Sequence, residues 1–346
     1  MATRGWSRLS DLTAPLVVLA VIVTVDVVLG PDVVISGAYA IAAVLAGAIT
    51  TVRRTAVVAG LSIALSAVSG LWNQNFTTLD FEIRLLLTLT LSALAIVSAT
   101  IRTRRERALR HMTVIAETAQ RALLRGMPEA VGSVGFAARY VSATQEALVG
   151  GDLYEVAASP FGVRVVVGDV RGKGLDAVLM AGTVLGGFRR SAFSRPTLTA
   201  VARDMDEVVR AVAGEEDFVT AVLAEFHEDH TVTLVNCGHH PPLLVTTTRD
   251  GILVDTGEPE PPLGLAPRPA AVTWPWPEGS RILLYTDGLV EARNGRGAFF
   301  PLVDHAAALQ KGSLHEALDG LLRQVIDHAG RRVNDDLALV LVEHRA

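Results

Sequence analysis

Residues 165–181 read VVVGDVRGKGLDAVLMA, and their order already describes a piece of fold. Three valines lead to Gly168 and Asp169, so a buried strand delivers a carboxylate at its tip. Gly172 and Gly174 then allow a tight turn, and Leu175, Val178 and Leu179 follow at helical spacing. A carboxylate at the end of a buried strand loses its hydration unless something compensates it, and a divalent cation is the natural compensation. The free N–H groups at the start of the following helix would also favour an anion. A Walker A phosphate loop is excluded by spacing: it needs four residues between its glycines and Ser or Thr after the Lys, whereas three separate Gly168 from Gly172, and Gly174 follows Lys173.

The same device recurs along the chain. GGD ends at Asp152, LLYTDGLVEA contains Asp287, and NDDLALVLV carries Asp335 and Asp336. The apolar runs Ile282 to Leu284 and Leu337 to Leu341 flank the last two sites. Hard cations such as Mg²⁺ and Mn²⁺ take carboxylate, carbonyl and water oxygens. A pair of them about 3.5–4 Å apart can share a water and hold it in line with phosphorus. Gly150, Gly151, Gly168 and Gly288 leave room for backbone and ions to approach. VGGDLY at 149–154, taken alone, fits a GGDEF-type cyclase, a metal-dependent phosphatase or an ordinary turn, but a cyclase has no use for GDVRGKG or TDGLVEA.

From about residue 131, short apolar runs separated by turn residues predict strands at Gly135 to Ser142, Asp152 to Ser159, Val163 to Val170, Phe218 to Phe226, Thr231 to Cys237, Leu243 to Val245, Arg281 to Thr286 and Asp336 to Glu343. Helices are predicted at Leu175 to Phe193, Thr197 to Val212 and Leu314 to Ala329. Strands joined by tight turns, with helices gathered between them, indicate an α+β sandwich of antiparallel sheets, and about 215 residues suffice for its core.

Residues 115–343 resemble the phosphatase domain of the bacterial sporulation stage II E type, a branch of the metal-dependent PPM (type 2C) serine/threonine phosphatases. The resemblance is carried by IAETAQRALL, GGDLYEV, VVGDVRGKGLDAVLMA, VNCGHHPPLLV, PPLGL, LLYTDGLVEARN and NDDLALVLV. It implies an αββα sandwich with two Mn²⁺ or Mg²⁺ ions at one end, where activated water attacks a phosphoserine or phosphothreonine. On these positions Asp152 would bridge both ions, and Asp169 with the backbone carbonyl of Val170 would be further ligands. Asp287 and Asp335 would complete the set, with Asp336 in a less defined role. The resemblance also implies a regulatory phosphoprotein as substrate, an anti-sigma-factor antagonist of the STAS type. Glu155, Ala338 and GAFFPL at 297–302 depart from the usual pattern, but none of them removes a proposed ligand.

The N-terminal third differs in kind. Half of the 346 residues are hydrophobic and the mean hydropathy is +0.38, too apolar for an ordinary cytosolic enzyme. Four windows nearly free of charge, Ala14 to Gly30, Val33 to Val52, Thr55 to Trp72 and Leu85 to Ile101, have 17 to 20 residues each and predict four membrane spans. Arg4 and Arg8, then Arg53 and Arg54, then Arg102, Arg104, Arg105, Arg107 and Arg110 mark one side as cytoplasmic; Asp32, Asp80 and Glu82 mark the other. Arg84 is the only basic residue out of place. The expectation is a multi-pass protein of the cell inner (plasma) membrane, in contact with lipid, with its N-terminus and soluble part cytoplasmic. A cleaved signal peptide is the competing reading of the first window, set against three further spans and a consistent charge alternation. Asp26 and Arg84 either form a pair within apolar surroundings, or Asp26 reaches the headgroup region from the outer end of its span.

Residues 1–112 hold ten Arg and six acids, net +4, which leaves −9 on the rest and argues against nucleic acid as a partner. Cys237 is the only cysteine, which excludes an internal disulfide. Cys237-Gly238-His239-His240, followed by two prolines, therefore reads as a turn between strands, and Glu215 to Asp217 as a solvated loop. The organisation expected is a transmembrane domain at 1–101, an amphipathic connecting helix at 102–130 and a PPM-type phosphatase domain at 131–346. The connecting helix could pair with its copy in a homodimer or pack on its own domain. Lys173 or Arg171 is expected to touch substrate phosphate. The alternative function is a catalytically silent membrane signalling scaffold that binds the same partner; binding alone would not require the full acid set.

Overall fold

The computed structural model describes residues 6–30, 33–124, 126–142, 150–246, 251–330 and 335–345. Arg4, Asp32, Val149 and Asn334, all used above, lie outside the described residues. The chain forms two compact units, Met1–His111 and Met112–Ala346.

In the first unit, α1 (Trp6–Leu29), α2 (Ala40–Ile49), α3 (Val52–Val68) and α4 (Gly70–Asn73) precede α5 (Leu79–Leu123), which is shared between the two units. Three helical segments, Leu12–Leu29, Val52–Asn73 and Leu79–Leu123, are long and apolar enough to cross a membrane. The second of the four expected spans is shorter: a 3-10 turn at Ser36–Tyr39 leads into the ten-residue α2, about 15 Å of helix against a core of about 30 Å. The Thr50 hydroxyl, which donates to the Ala46 carbonyl at 2.8 Å, helps close its last turn. The Asp26–Arg84 pair does not form. Asp26 is fully buried and accepts from Ile35 N, Tyr39 Oη, Trp72 Nε1 and Asn73 Nδ2 at 2.7–3.2 Å, while Arg84 pairs with Asp80 at 2.5 Å. Four donors satisfy a carboxylate as well as a cation would, without a second desolvated charge.

The fourth apolar window and the connecting segment form one helix, α5, which stops at Leu123 instead of running to 130; Gly126 and Pro128, close behind, oppose its continuation. Beyond it come β1 (Ala130–Val131), β2 (Val134–Val141), β3 (Leu153–Ser159), β4 (Gly162–Val170), α6 (Leu175–Ser194), α7 (Leu198–Val212), β5 (Val219–Phe226), β6 (Thr231–Cys237), β7 (Leu243–Val245), β8 (Ile252–Leu253), β9 (Ala271–Pro275), β10 (Arg281–Tyr285), α8 (Asp287–Val290), α9 (Leu314–His328) and β11 (Leu337–His344). They build two antiparallel sheets, β1-β2-β11-β10-β7-β8 and β3-β4-β5-β6-β9.

Three apolar layers hold this unit. Val165, Val167, Leu284 and Val340 meet between the sheets. Val166 and Leu223 face Leu185, Phe188 and Met205 of α6 and α7, and Leu339 and Leu341 face Leu318 and Leu321 of α9. The alternation of Val165, Val166 and Val167 between two layers is the period-two pattern of a strand covered on both faces. The result is an αββα sandwich. Arg164, wholly buried, pairs with Glu225 and donates to the carbonyls of Ala192, Arg195 and Pro196, which ties the α6–α7 turn to the sheet.

Every predicted strand and helix of this unit is present, with ends shifted by one residue or not at all. The sequence reading omits the 3-10 segment Leu302–Gln310 and the strand β9, whose run AVTWP ends in proline, which counts against a central strand; β9 lies at the sheet edge, where proline is tolerated.

Candidate active site

Register brings the acids to one end of the sandwich. In one sheet Leu153 pairs with Gly168, so Asp152 and Asp169 lie side by side just beyond that pair. In the other, Tyr285 pairs with Leu339, so the chain leading to Asp287 and the chain arriving from Asp335 and Asp336 share the matching end. One carboxylate oxygen from each of Asp152, Asp169 and Asp287 lies within 4.8 Å of the others. Asp335 and Asp336 line the same cleft, of about 360 Å³, together with the Val170 backbone, Arg171 and Lys173.

Hydrogen-bonded links fasten the two sheets at this end. The Thr286 hydroxyl donates to Asp152 at 2.8 Å and accepts from Ala338 N at 2.9 Å. Asp336, buried, accepts from the backbone N–H of Gly150. His239 bridges Thr220 and the Tyr285 carbonyl. Asp287, two residues past the end of β10, opens the one-turn helix α8, where the exposed N–H groups favour its charge.

Among the described residues, the anionic character of the cluster is not balanced. Burial first, and the charge of Asp169 second, push Asp152 well above the usual carboxylate value. Burial and Asp287 push Asp169 up to about 7, and burial and Asp335 raise Asp287. Lys173 is drawn down by burial but held above its ordinary value by Asp335, which its Nζ meets at 2.6 Å. One half-exposed ammonium cannot neutralise three or four carboxylates, and the donors are all hard oxygens, so the chemistry of the set fits divalent Mg²⁺ or Mn²⁺.

A pH effect follows from Asp169. Its folded value of about 7 lies above the ordinary 3.8, so between these values the native state holds more protons than the unfolded state, and stability falls as pH rises. The stabilisation is complete below pH 3.8 and lost by about pH 7. The metal-free protein is therefore expected to melt higher at pH 5 than at pH 7.5, with the difference reduced in Asp169→Asn and reversed by saturating Mn²⁺. Melting curves at the two pH values check this; an equal difference in the variant would contradict it.

The two basic residues expected at substrate phosphate are engaged within the protein. Arg171 bonds the backbone and carboxylate of Glu216 and lies 5.5 Å over the Phe218 ring, and Lys173 holds Asp335. The CGHHPP segment is a turn, with Gly238 at φ 67°, but it also carries both histidines into the cleft, where His240 stacks on Tyr285. Gln120 of α5 is a further residue the sequence reading missed: its Nε2 donates to the Gly150 and Asp152 carbonyls at 3.1 and 3.5 Å. A lone buried amide on the alanine-rich stripe of IAETAQRALL was the available signal.

An αββα sandwich of antiparallel sheets with convergent acids at one end defines a PP2C-type (PPM) domain. The chain belongs to the stage II sporulation protein E (SpoIIE) family, whose model matches residues 159–345. Among solved structures it is similar to the RsbU and RsbW domains of a Mycobacterium tuberculosis protein, at 26% identity and a TM-score of 0.50 over 62% of this chain, and it spans 60% of that solved chain. It is similar in fold to the SiaA PP2C domain of Pseudomonas aeruginosa, with 17% identity and a TM-score of 0.57 over 72% of this chain and 99% of the other. The PP2C domain with a regulatory fragment of SpoIIE from Bacillus subtilis aligns at 16% identity and a TM-score of 0.50 over 61% of this chain and 62% of the other.

Proposed function

We propose that this protein is a metal-dependent serine/threonine phosphatase that hydrolyses phosphoserine or phosphothreonine on a regulatory protein. The observation that carries the reading is the approach of Asp152, Asp169 and Asp287 within 4.8 Å in a domain of this family. These three, with Asp335 and the Val170 carbonyl, would hold two Mn²⁺ or Mg²⁺ ions, and Asp336 would support them through Gly150. Bound there, the ions would supply Lewis acidity, lowering the pKa of water and neutralising phosphoryl charge. The chain's own part is to present the carboxylates in a fixed array. Thr286 orients Asp152, and Lys173 is placed to exchange Asp335 for a phosphoryl oxygen, with Arg171 beside it on the rim.

For the substrate, the resemblance to the RsbU and SpoIIE domains supports an anti-sigma-factor antagonist of the STAS type. For location, three helical segments long and apolar enough to cross a membrane, the last of which carries Arg102, Arg104, Arg105, Arg107 and Arg110 beyond its apolar part, support a multi-pass protein of the plasma membrane with a cytoplasmic phosphatase domain. The exposed Met112, Val114 and Ile115 of α5 support a homodimer through the connecting helix.

The test is phosphate release from a phosphoserine peptide by the full chain in detergent, with Mn²⁺ and then with EDTA, beside Asp287→Ala. Release should require Mn²⁺, stop with EDTA and fall at least about 10²-fold in the variant. Activity indifferent to EDTA would sink the reading, and a calorimetric titration without Mn²⁺ binding would favour the silent scaffold.

A further inference from the structure

We infer that His239 is a positioning residue that sets the separation of the Asp169 and Asp287 carboxylates by tying β5 to the end of β10. The inference rests on the metal-dependent reading above and concerns how its site is held.

The imidazole is buried, and its two nitrogens reach opposite sheets. Nε2 lies 3.0 Å from the Tyr285 carbonyl and Nδ1 lies 2.8 Å from the Thr220 hydroxyl. A carbonyl can only accept, so Nε2 carries the proton and donates to Tyr285; Nδ1 is then bare and accepts from the Thr220 O–H. Burial lowers the His239 pKa to about 3, so this neutral form persists across the working range. The His239 backbone is also held, because Asn236 accepts from His239 N at 2.8 Å and donates to His239 O at 2.9 Å.

Both ends of this tether lead to acids. Thr220 is the register partner of Asp169 across the β4–β5 ladder. Tyr285 is the last residue of β10, two positions before Asp287. Apolar packing between the sheets is non-directional, so it fixes their spacing but resists sliding poorly. Hydrogen bonds are directional and resist it. The Thr286–Asp152 and Asp336–Gly150 bonds already secure the other acids. Among the described residues, His239 supplies the corresponding link for the Asp169 strand, and without it two mutually repelling carboxylates can drift apart.

The test is Mn²⁺ calorimetry on the full chain in detergent, with phosphoserine-peptide kinetics at saturating Mn²⁺. His239→Ala should weaken Mn²⁺ binding by about 10–100-fold, the range typical of groups that orient metal ligands, while peptide KM stays near wild type. His239→Gln, which keeps a donor and an acceptor on one planar group, should recover most of the affinity; a general loss of stability would not be rescued in this way. A folded His239→Ala with wild-type affinity, or His239→Gln no better than His239→Ala, overturns the inference. If His239→Ala does not fold, Thr220→Val decides: weaker Mn²⁺ binding supports the tether, and unchanged binding overturns it. Wild-type protein that binds no Mn²⁺ overturns the metal-dependent reading and this inference with it. Binding that is lost only in the variants supports the tether even if the wild type releases no phosphate from this peptide.

Discussion

Asp152→Asn is expected to lower phosphate release at least about 10³-fold while raising the melting temperature of the metal-free protein. Asn keeps the volume and the oxygen that accepts the Thr286 hydroxyl at 2.8 Å, so the substitution removes charge and little else. That charge is the most costly in the cleft: Asp152 is 2% exposed, with Asp169, Asp336 and Asp287 all acting on it. Without a cation, its loss relieves desolvation and repulsion together. With a cation, the same loss removes the central donor of the array, because an amide oxygen does not replace an anionic ligand. The two readouts should therefore move in opposite directions. Paired measurements of phosphate release and metal-free melting check this; a variant with both quantities near wild type would show that Asp152 is not a ligand but an ordinary buried acid.

Sequence and structure agree where a single physical rule decides. The strands of the C-terminal unit are covered on both faces, so their valine and leucine runs are unbroken, and glycines or acids end them; β4 and β11 could be read directly. The acids were visible for the same reason, since a carboxylate at the tip of such a run has no use in a core. The residues that arrange the acids were not visible. Thr286 and His239 act through partners distant in sequence, and their identity as threonine or histidine carries no local signal. The second apolar window shows the converse. Its sequence, VVISGAYAIAAVLAGAITTV at 33–52, meets a hydropathy test for a span, but a compact alanine-rich helix such as α2 is also what close helix packing selects, and a Cβ on Gly47 would stand 2.8 Å from the Ala95 carbonyl. Hydropathy measures how apolar a stretch is. It does not measure how long the helix will be.

Gly288→Ala should be the most damaging single-methyl change near the cleft. An added Cβ would stand 2.0 Å from the carbonyl oxygen of Asp336 and 3.0 Å from its carbon. The obstructing atom is backbone at the start of β11, which cannot rotate aside as a side chain would, so the α8 turn or the strand must shift. Overpacking of this kind costs about 1–3 kcal/mol. The displaced segments are those bearing Asp287 and Asp336, and a shift of about 1 Å in a reacting array costs on the order of 10²-fold in rate. Gly186→Ala supplies the control: it lies exposed within α6 with nothing within 4 Å of an added Cβ, and alanine in a helix interior is worth about 1 kcal/mol over glycine. The same chemical change should thus stabilise at 186 with full activity, and at 288 both destabilise and inactivate. Melting temperature and phosphate release on the two variants test it together. If Gly288→Ala matched Gly186→Ala in both, the close approach of α8 to β11 would not be what holds Asp287 in the cluster.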